Sequence, residues 1–327
     1  MKTALYWEKS GDKVRCLLCP HYCLISEGEN GLCKIRNNIG GTLVTTIFGE
    51  VTSTAIDPIE KKPLYHYLPG SMIFSAGTNG CNLACQFCQN WEISQTPDSG
   101  RQKMSSDEII KAALNAKSFG VAYTYNEPFI WFEFVLETAK KARKAGLKNV
   151  LVTNGYINND PLMELLPYID AMNIDLKAFK QVFYRDICKG DVETVKSTII
   201  KSFEKCHIEL TNLLIPSQND TEEELNAMAN WVADISPDIP FHLSRYFAQY
   251  QMKSSPTSIV ALEKAREILS KTVNYVYIGN ANVKDGSTTK CYKCKNLLVT
   301  RTGYSISNIK IVNGKCGYCG NSIYGTF

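Results

Sequence analysis

From Ser71 to about Asn280 short apolar runs alternate with longer helical stretches. MIFSAG (72–77), VAYTY (121–125), NVLVT (149–153), AMNID (171–175), HIELTNLLI (207–215), FHLSRYF (241–247) and NYVYIG (274–279) read as strands. Between them lie six helical patterns. SSDEIIKAALNAKSFG places Ser105 and Glu108 as a capping box, with Gly120 as a stop signal. FIWFEFVLETAKKARKAG should end at Gly146. PLMELLPY is a short helix, and VETVKSTIIKSFEKC a longer one. TEEELNAMANWVAD opens on a second capping box, Thr221 and Glu224, and SIVALEKAREILS is the last helix.

Six strand–helix units and a seventh strand imply an α/β fold with a parallel sheet and right-handed crossovers. An open doubly wound sheet and a barrel both fit. In a barrel the chemistry gathers at the C-terminal strand ends. Polar residues agree with that placement: Asn126–Glu127, Thr153–Asn154–Gly155 and Asp175–Lys177 each follow an apolar run. Loops after strands are often polar in any α/β fold, so the convergence of several such loops matters more than any one.

The chain has 13 cysteines, and eleven fall in three tight groups, leaving Cys188 and Cys206 alone with no role assigned. A secreted disulfide scaffold would normally be short and preceded by a signal peptide. Here the start, MKTALYWEKSGDKVRC, has no apolar h-region, and no run of about 18 apolar residues exists. The expectation is a cytoplasmic protein with metal-ligand cysteines and no membrane span. CNLACQFC carries Cys81, Cys85 and Cys88 directly after the first strand of the repeat. Three cysteines can hold a [4Fe–4S] cluster and leave one iron open to a ligand. The alternatives are a zinc site completed by a distant His, or a structural cluster completed by a distant Cys.

CNLACQFC on a strand–helix loop, with Phe87 before its last cysteine, resembles the radical S-adenosylmethionine (SAM) enzymes. That resemblance implies a partial (β/α)6 barrel and a cluster whose open iron is chelated by SAM. Reductive cleavage of SAM then gives a 5′-deoxyadenosyl radical that abstracts hydrogen from substrate. It further implies that Cys81, Cys85 and Cys88 hold the cluster and that Phe87 lies near the adenine. Asn126 or Glu127 of YNEP would bind the SAM amino group. TNG (Thr153, Asn154) and DLK (Asp175, Lys177) resemble strand-end motifs of pyruvate formate-lyase-activating enzymes, with Asp175 and Lys177 near the SAM carboxylate, its ribose or a substrate peptide. The second-strand motif of that branch is richer in glycine, so Tyr125–Asn126 is a departure. HLSRY offers His242 and Arg245 for a carboxylate or adenine, with a packed strand histidine as the competing reading.

Taken whole, the chain resembles the radical SAM member of the AmmeMemoRadiSam system. The quoted matches are CLLCPHYC…GLCKIRNN, DPIEKKPLYHYLPG, CNLACQFCQNWEISQ, YTYNEP, HLSRY and the terminal cysteine pairs. This resemblance implies the system's other two proteins as partners, and an electron donor; it supplies no substrate.

The outer cysteine groups divide the chain further. Cys291, Cys294, Cys316 and Cys319 form two CxxC knuckles with zinc-ribbon spacing, and a second [4Fe–4S] cluster is the rival reading. Cys16, Cys19, Cys23 and Cys33 are less regular; zinc or a cluster would suit them, and His21 could replace one ligand. The expected organisation is a Cys-rich module and linker over 1–70, the partial barrel over 71–283 and a zinc-ribbon-like module over 284–327. In the linker, the three prolines of DPIEKKPLYHYLPG predict extended chain. Glu60, Tyr65 and His66 there could reach an active site or contact the barrel rim.

Net charge is only +4 over 327 residues, which gives no reason to expect nucleic acid. From Asn280 onward seven Lys or Arg face one acid, Asp285, a local +6. A zinc on four thiolates would offset about two of those charges. Three functions are therefore in view. The leading one is a radical SAM enzyme acting on a protein or peptide. The second is the same chemistry on a small metabolite. The third is a non-enzymatic multi-zinc adaptor that binds RNA or an acidic partner through the basic ribbon. The third gives no reason for leaving the central triad one ligand short.

Overall fold

The computed structural model describes residues 1–96 and 100–327. Its centre is an eight-stranded sheet. The strands, labelled in chain order, are β1 (Ser53–Pro58), β2 (Met72–Gly77), β3 (Gly120–Tyr123), β4 (Lys148–Thr153), β5 (Ala171–Asp175), β6 (His207–Leu214), β7 (Phe241–Arg245) and β8 (Val276–Gly279). From β2 to β8 every neighbour is parallel and in chain order. β1 pairs antiparallel with β2 and ends the sheet at that edge. The fold is thus an α/β sheet of mostly parallel strands, with all seven repeat strands where the apolar runs predicted them.

Successive residues of a strand point to opposite faces. One face carries Phe74, Val121, Leu151, Met172, Ile208 and Leu243, and packs with the apolar faces of the helices in one large core. The other face holds smaller or polar residues. Ile73, Ala122, Val150 and Ala171 form a separate cluster there with Ile59, Leu64 and Tyr67. The predicted linker therefore folds over the inner face of the sheet. Its first part is not extended loop but strand β1 and a short 3-10 turn, Ile59–Lys61.

Two predicted helix signals act differently from expectation. The Ser105–Glu108 capping box forms, but its helix ends at Asn115 and Gly120 begins β3, where a Cβ would lie 2.3 Å from the Lys148 carbonyl oxygen. Thr221 caps its helix by accepting from the Glu224 amide. The Glu224 carboxylate does not return the bond; it accepts from the amides of Phe179 and Lys180. Gly146 does follow its helix with φ +77°, in the left-handed region that a helix terminus requires.

The N-terminal residues form two small antiparallel sheets. Val14, Ile25, Ile35, Leu43 and Ile47 join the same core as Trp131, Phe132 and Phe134. Arg36 is buried there, paired with Glu133 and donating to the Leu5 carbonyl at 2.8 Å. At the other end lie a three-stranded antiparallel sheet (Thr289–Lys290, Leu297–Thr302, Ser305–Ile309), with Cys291 and Cys294 in the turn after its first strand, and a two-stranded one (Ile311–Val312, Lys315–Cys316) that brings Cys316 and Cys319. Together these sheets pack on Tyr65, Tyr275 and Tyr277. Arg301 fastens the three-stranded sheet by donating to the Tyr65 carbonyl at 2.6 Å, and within the sheet it donates to Thr289 Oγ1 at 2.9 Å. Among the described residues no helix is long and apolar enough to cross a membrane.

Beneath that sheet lies a buried polar cluster. The Glu209 carboxylate accepts from the amides of Tyr65 (2.9 Å) and His66 (2.6 Å), with His207 Nε2 at 3.0 Å and His242 Nε2 at 2.7 Å. His66 is held between the Tyr324 carbonyl (2.7 Å) and the Tyr277 hydroxyl (2.6 Å). Burial pulls the His66 imidazole down to about 4. Burial alone would raise Glu209, but bonds from His207 and His242 hold it well below the usual carboxylate range.

Both shifts act in one direction. Between pH 6.5 and 4 the unfolded chain takes up a proton at His66 that the folded chain refuses, so stability falls on acidification. The loss from His66 approaches about 3 kcal/mol at full effect. Below pH 4.5, protonation of Glu209 adds to it. Urea unfolding at pH 7 and pH 5 should show the lower stability at pH 5. His66→Gln should flatten that part of the profile.

Candidate active site

At the C-terminal ends of the strands lies a cleft of about 610 Å3. Its lining includes Cys81, Cys85, Phe87 and Cys88 from the loop after β2, and Asn126 and Glu127 after β3. Thr153 and Asn154 from β4, with Asp175 and Lys177 from β5, complete the predicted set. The three strand-end motifs and the triad therefore do converge.

Each position has a local cause. Glu127 is buried, and its carboxylate accepts from the Phe129 amide (2.9 Å), the Thr153 hydroxyl (2.7 Å) and the Asn154 amide (2.8 Å). Burial pushes this carboxyl up to about 7, against those donors. Asn126 Oδ1 accepts from the Thr78 amide at 3.0 Å and its Nδ2 donates to the Gly80 carbonyl at 3.1 Å, which fixes the backbone entering the triad. Asn154 Nδ2 reaches Asn82 Oδ1 at 2.9 Å and Cys81 Sγ at 3.5 Å. Lys177 Nζ lies 2.6 Å from Asp175 Oδ2. Burial opposes its charge, but Asp175, Cys85 and Cys188 hold the ammonium well above its usual range.

The donors around the triad suit thiolates. Cys81 Sγ also accepts from the Leu83 amide at 3.4 Å, and Cys88 Sγ lies 3.1 Å from Ser94 Oγ. As free thiols these cysteines are hard to ionise. Burial pushes Cys81 and Cys88 up, and contact with the Cys188 thiol, together with burial, does so for Cys85. A metal would supply the missing driving force, because ligation deprotonates thiols outright. A donor set of three thiolates with hydrogen bonds to their sulfurs fits an iron–sulfur cluster.

His242 does not reach the cleft. It is the second residue of β7, and its ring is turned onto Glu209 near the N-terminal strand ends. Ser244, two residues on and on the same face, lines the cleft in its place. The competing reading of His242 as a packed strand histidine is the one its geometry matches. Arg245 donates from Nε to the Thr257 carbonyl at 2.8 Å. Of the linker residues, Glu60, Tyr65 and His66 are engaged in the buried contacts with Arg301 and Glu209.

Their neighbours Lys61 and Lys62 line the cleft instead. Both meet Asp57, at 2.8 Å and 2.6 Å, and the Tyr125 hydroxyl donates to the same carboxylate at 2.6 Å. Burial opposes ionisation of Asp57, but these three bonds hold its carboxyl well below the usual range. The KK pair in DPIEKKPLY was the available signal for this contribution. Nothing in the sequence marked Cys188, from a distant segment, as the neighbour of Cys85.

The ribbon cysteines form a different kind of site. The sulfurs of Cys291 and Cys319, and of Cys294 and Cys316, are 3.7 Å apart, and all four lie within 4.8 Å of one another. A tetrahedral ion with thiolates at about 2.3 Å places its sulfurs about 3.8 Å apart. Gly320 follows the last ligand at φ +73°, which lets the chain turn there.

Comparison with known proteins adds a family. The family model described as radical SAM superfamily matches residues 76–232. An uncharacterised protein of Methanocaldococcus jannaschii is 41% identical, with 99% of each chain covered. The pyruvate formate-lyase-activating enzyme of Clostridium pasteurianum is 23% identical over 48% of this chain and 67% of its own. Among solved structures, Streptococcus suis SuiB bound to S-adenosylmethionine has a TM-score of 0.52 at 13% identity. That match covers 68% of this chain and 53% of SuiB, and it supports the fold.

The ribbon geometry predicts about one tightly held divalent ion per chain that needs no sulfide for its binding. Elemental analysis of protein purified without added iron should find it. Cys294→Ser with Cys319→Ser should lose it and lower the midpoint of thermal unfolding.

Proposed function

Residues 76–232 form a radical SAM superfamily domain, and from that premise we propose that the chain reductively cleaves S-adenosylmethionine to start hydrogen abstraction from a protein or peptide. The observation that carries this reading is the convergence of Cys81, Cys85 and Cys88 with the ends of β3, β4 and β5 on one cleft. Cys81, Cys85 and Cys88 would hold a [4Fe–4S] cluster, and when bound it would supply the electron that reductive cleavage of SAM needs.

The chain's own residues set the stage for that chemistry. Glu127 holds the Thr153–Asn154 turn, and Asn154 in turn orients Asn82 and Cys81. Asp175 and Lys177 present a charge pair to the cleft, suited to the ammonium and carboxylate of an amino acid. Phe87 offers an apolar wall for the adenine. The protein-substrate assignment draws on the activating enzymes among the relatives. An electron donor and the partner proteins of the AmmeMemoRadiSam system belong to the same proposal, as do zinc in the ribbon, a cytoplasmic location and the division at residues 70 and 283.

A small-molecule substrate is favoured by a different observation. Lys61 and Lys62, 2.8 and 2.6 Å from Asp57, bring two ammonium groups to the wall of the cleft. Lys61 and Lys62 would then face an anionic group.

Anaerobically reconstituted and reduced protein should form 5′-deoxyadenosine from SAM, read by chromatography. Cys85→Ala should abolish the product. Glu127→Ala, which strands three donors, should destabilise the fold by about 1–3 kcal/mol and cut the rate at least tenfold. No product from cluster-loaded wild-type protein would refute the proposal.

A further inference from the structure

The N-terminal cysteines offered two readings, zinc or a cluster, and the ribbon and the triad provide internal standards for choosing. In the ribbon four thiols close to within 4.8 Å of one another, the spacing of a single ion. No other group of three or more Cys, His, Asp or Glu among the described residues comes that close, so neither the triad nor Cys16, Cys19, Cys23 and Cys33 has single-ion spacing. Instead, the four N-terminal thiols line a small cavity, with His21, Arg36, Asn82 and Ile130 completing its wall. A cubane cluster binds each thiolate to a different iron, which spreads the sulfurs around a core.

The cavity is equipped for that occupant. Two of its sulfurs have a donor: the Leu32 amide reaches Cys23 Sγ at 3.5 Å, and Arg36 Nη1 reaches Cys16 Sγ at 3.7 Å. Hydrogen bonds to sulfur and nearby charge are the means by which proteins hold and tune iron–sulfur clusters. His21 is not needed as a ligand: its Nε2 lies 2.6 Å from the Asn82 carbonyl oxygen.

We propose that Cys16, Cys19, Cys23 and Cys33 bind a second [4Fe–4S] cluster, fully ligated by protein and therefore unable to bind SAM. It lies beside the first. Asn82 lines this cavity while its neighbour Cys81 lines the active-site cleft, and Asn82 Oδ1 takes the bond from Asn154.

The test counts iron and sulfide in two complementary variants after anaerobic reconstitution. Wild-type protein should hold about eight irons per chain, from two cubanes. The triple variant Cys81→Ala, Cys85→Ala, Cys88→Ala should keep about four, with four sulfides and an EPR signal in the reduced state that SAM leaves unchanged. Cys19→Ser with Cys23→Ser should keep only the SAM-responsive signal. A triple variant without iron and with a second equivalent of zinc would overturn the proposal. So would two irons with a [2Fe–2S] spectrum. Because the triple variant lacks the triad, its result stands whether or not the wild-type protein cleaves SAM.

Discussion

The buried carboxylate of Glu127 is the contact on which the site depends. It follows β3, yet its partners are Phe129 on its own loop and Thr153 and Asn154 at the end of β4. Two neighbouring strand ends are thereby fixed to each other. The constraint then passes outward. Asn154 holds Asn82 and touches Cys81, and the Asn82 carbonyl meets His21 in the N-terminal cysteine group. Burying a carboxylate is costly unless its oxygens are satisfied, and here three donors from two loops satisfy them. A buried carboxyl group that would otherwise destabilise the fold orders the loops around the triad.

The inner face of the sheet divides along the strand direction. Toward the C-terminal ends it carries Asp175, Thr211, Leu213 and Ser244, which line the cleft. Toward the N-terminal ends it carries Glu209, His242 and Tyr277, sealed by the 59–68 segment and the ribbon sheet. Arg301 closes that end from a residue 236 positions away from its partner Tyr65. Both ends are polar for different reasons: one is open to a ligand, and the other is closed around Glu209, which is held by two backbone amides and two histidines.

Much of this was legible in the sequence because parallel strands read as short apolar runs and the chemistry follows them directly. Cys81, Cys85, Cys88, Glu127, Asn154 and Lys177 could be placed together from order alone. Depth along a strand could not. His242 and Ser244 share a face two residues apart, and only the packing decides that the serine lines the cleft while the histidine pairs with Glu209. The contribution of residues 53–62 was also hidden. The prolines at 58, 63 and 69 suggested a linker, whereas β1 adds an antiparallel edge and brings Lys61 and Lys62 to the cleft. Long-range partners such as Cys188 leave no local pattern. Sulfur spacing, which separates the ribbon from the other two groups, exists only in three dimensions.

The central claim is that the triad leaves one iron open and that SAM takes it. The most direct measurement is electron–nuclear double resonance on the reduced, reconstituted protein, with SAM carrying 15N in its amino group and 17O in its carboxylate. Hyperfine coupling of both nuclei to the cluster, absent in the triad variant, is the predicted result. A reduced cluster that shows no coupling to either label at saturating SAM would contradict the account.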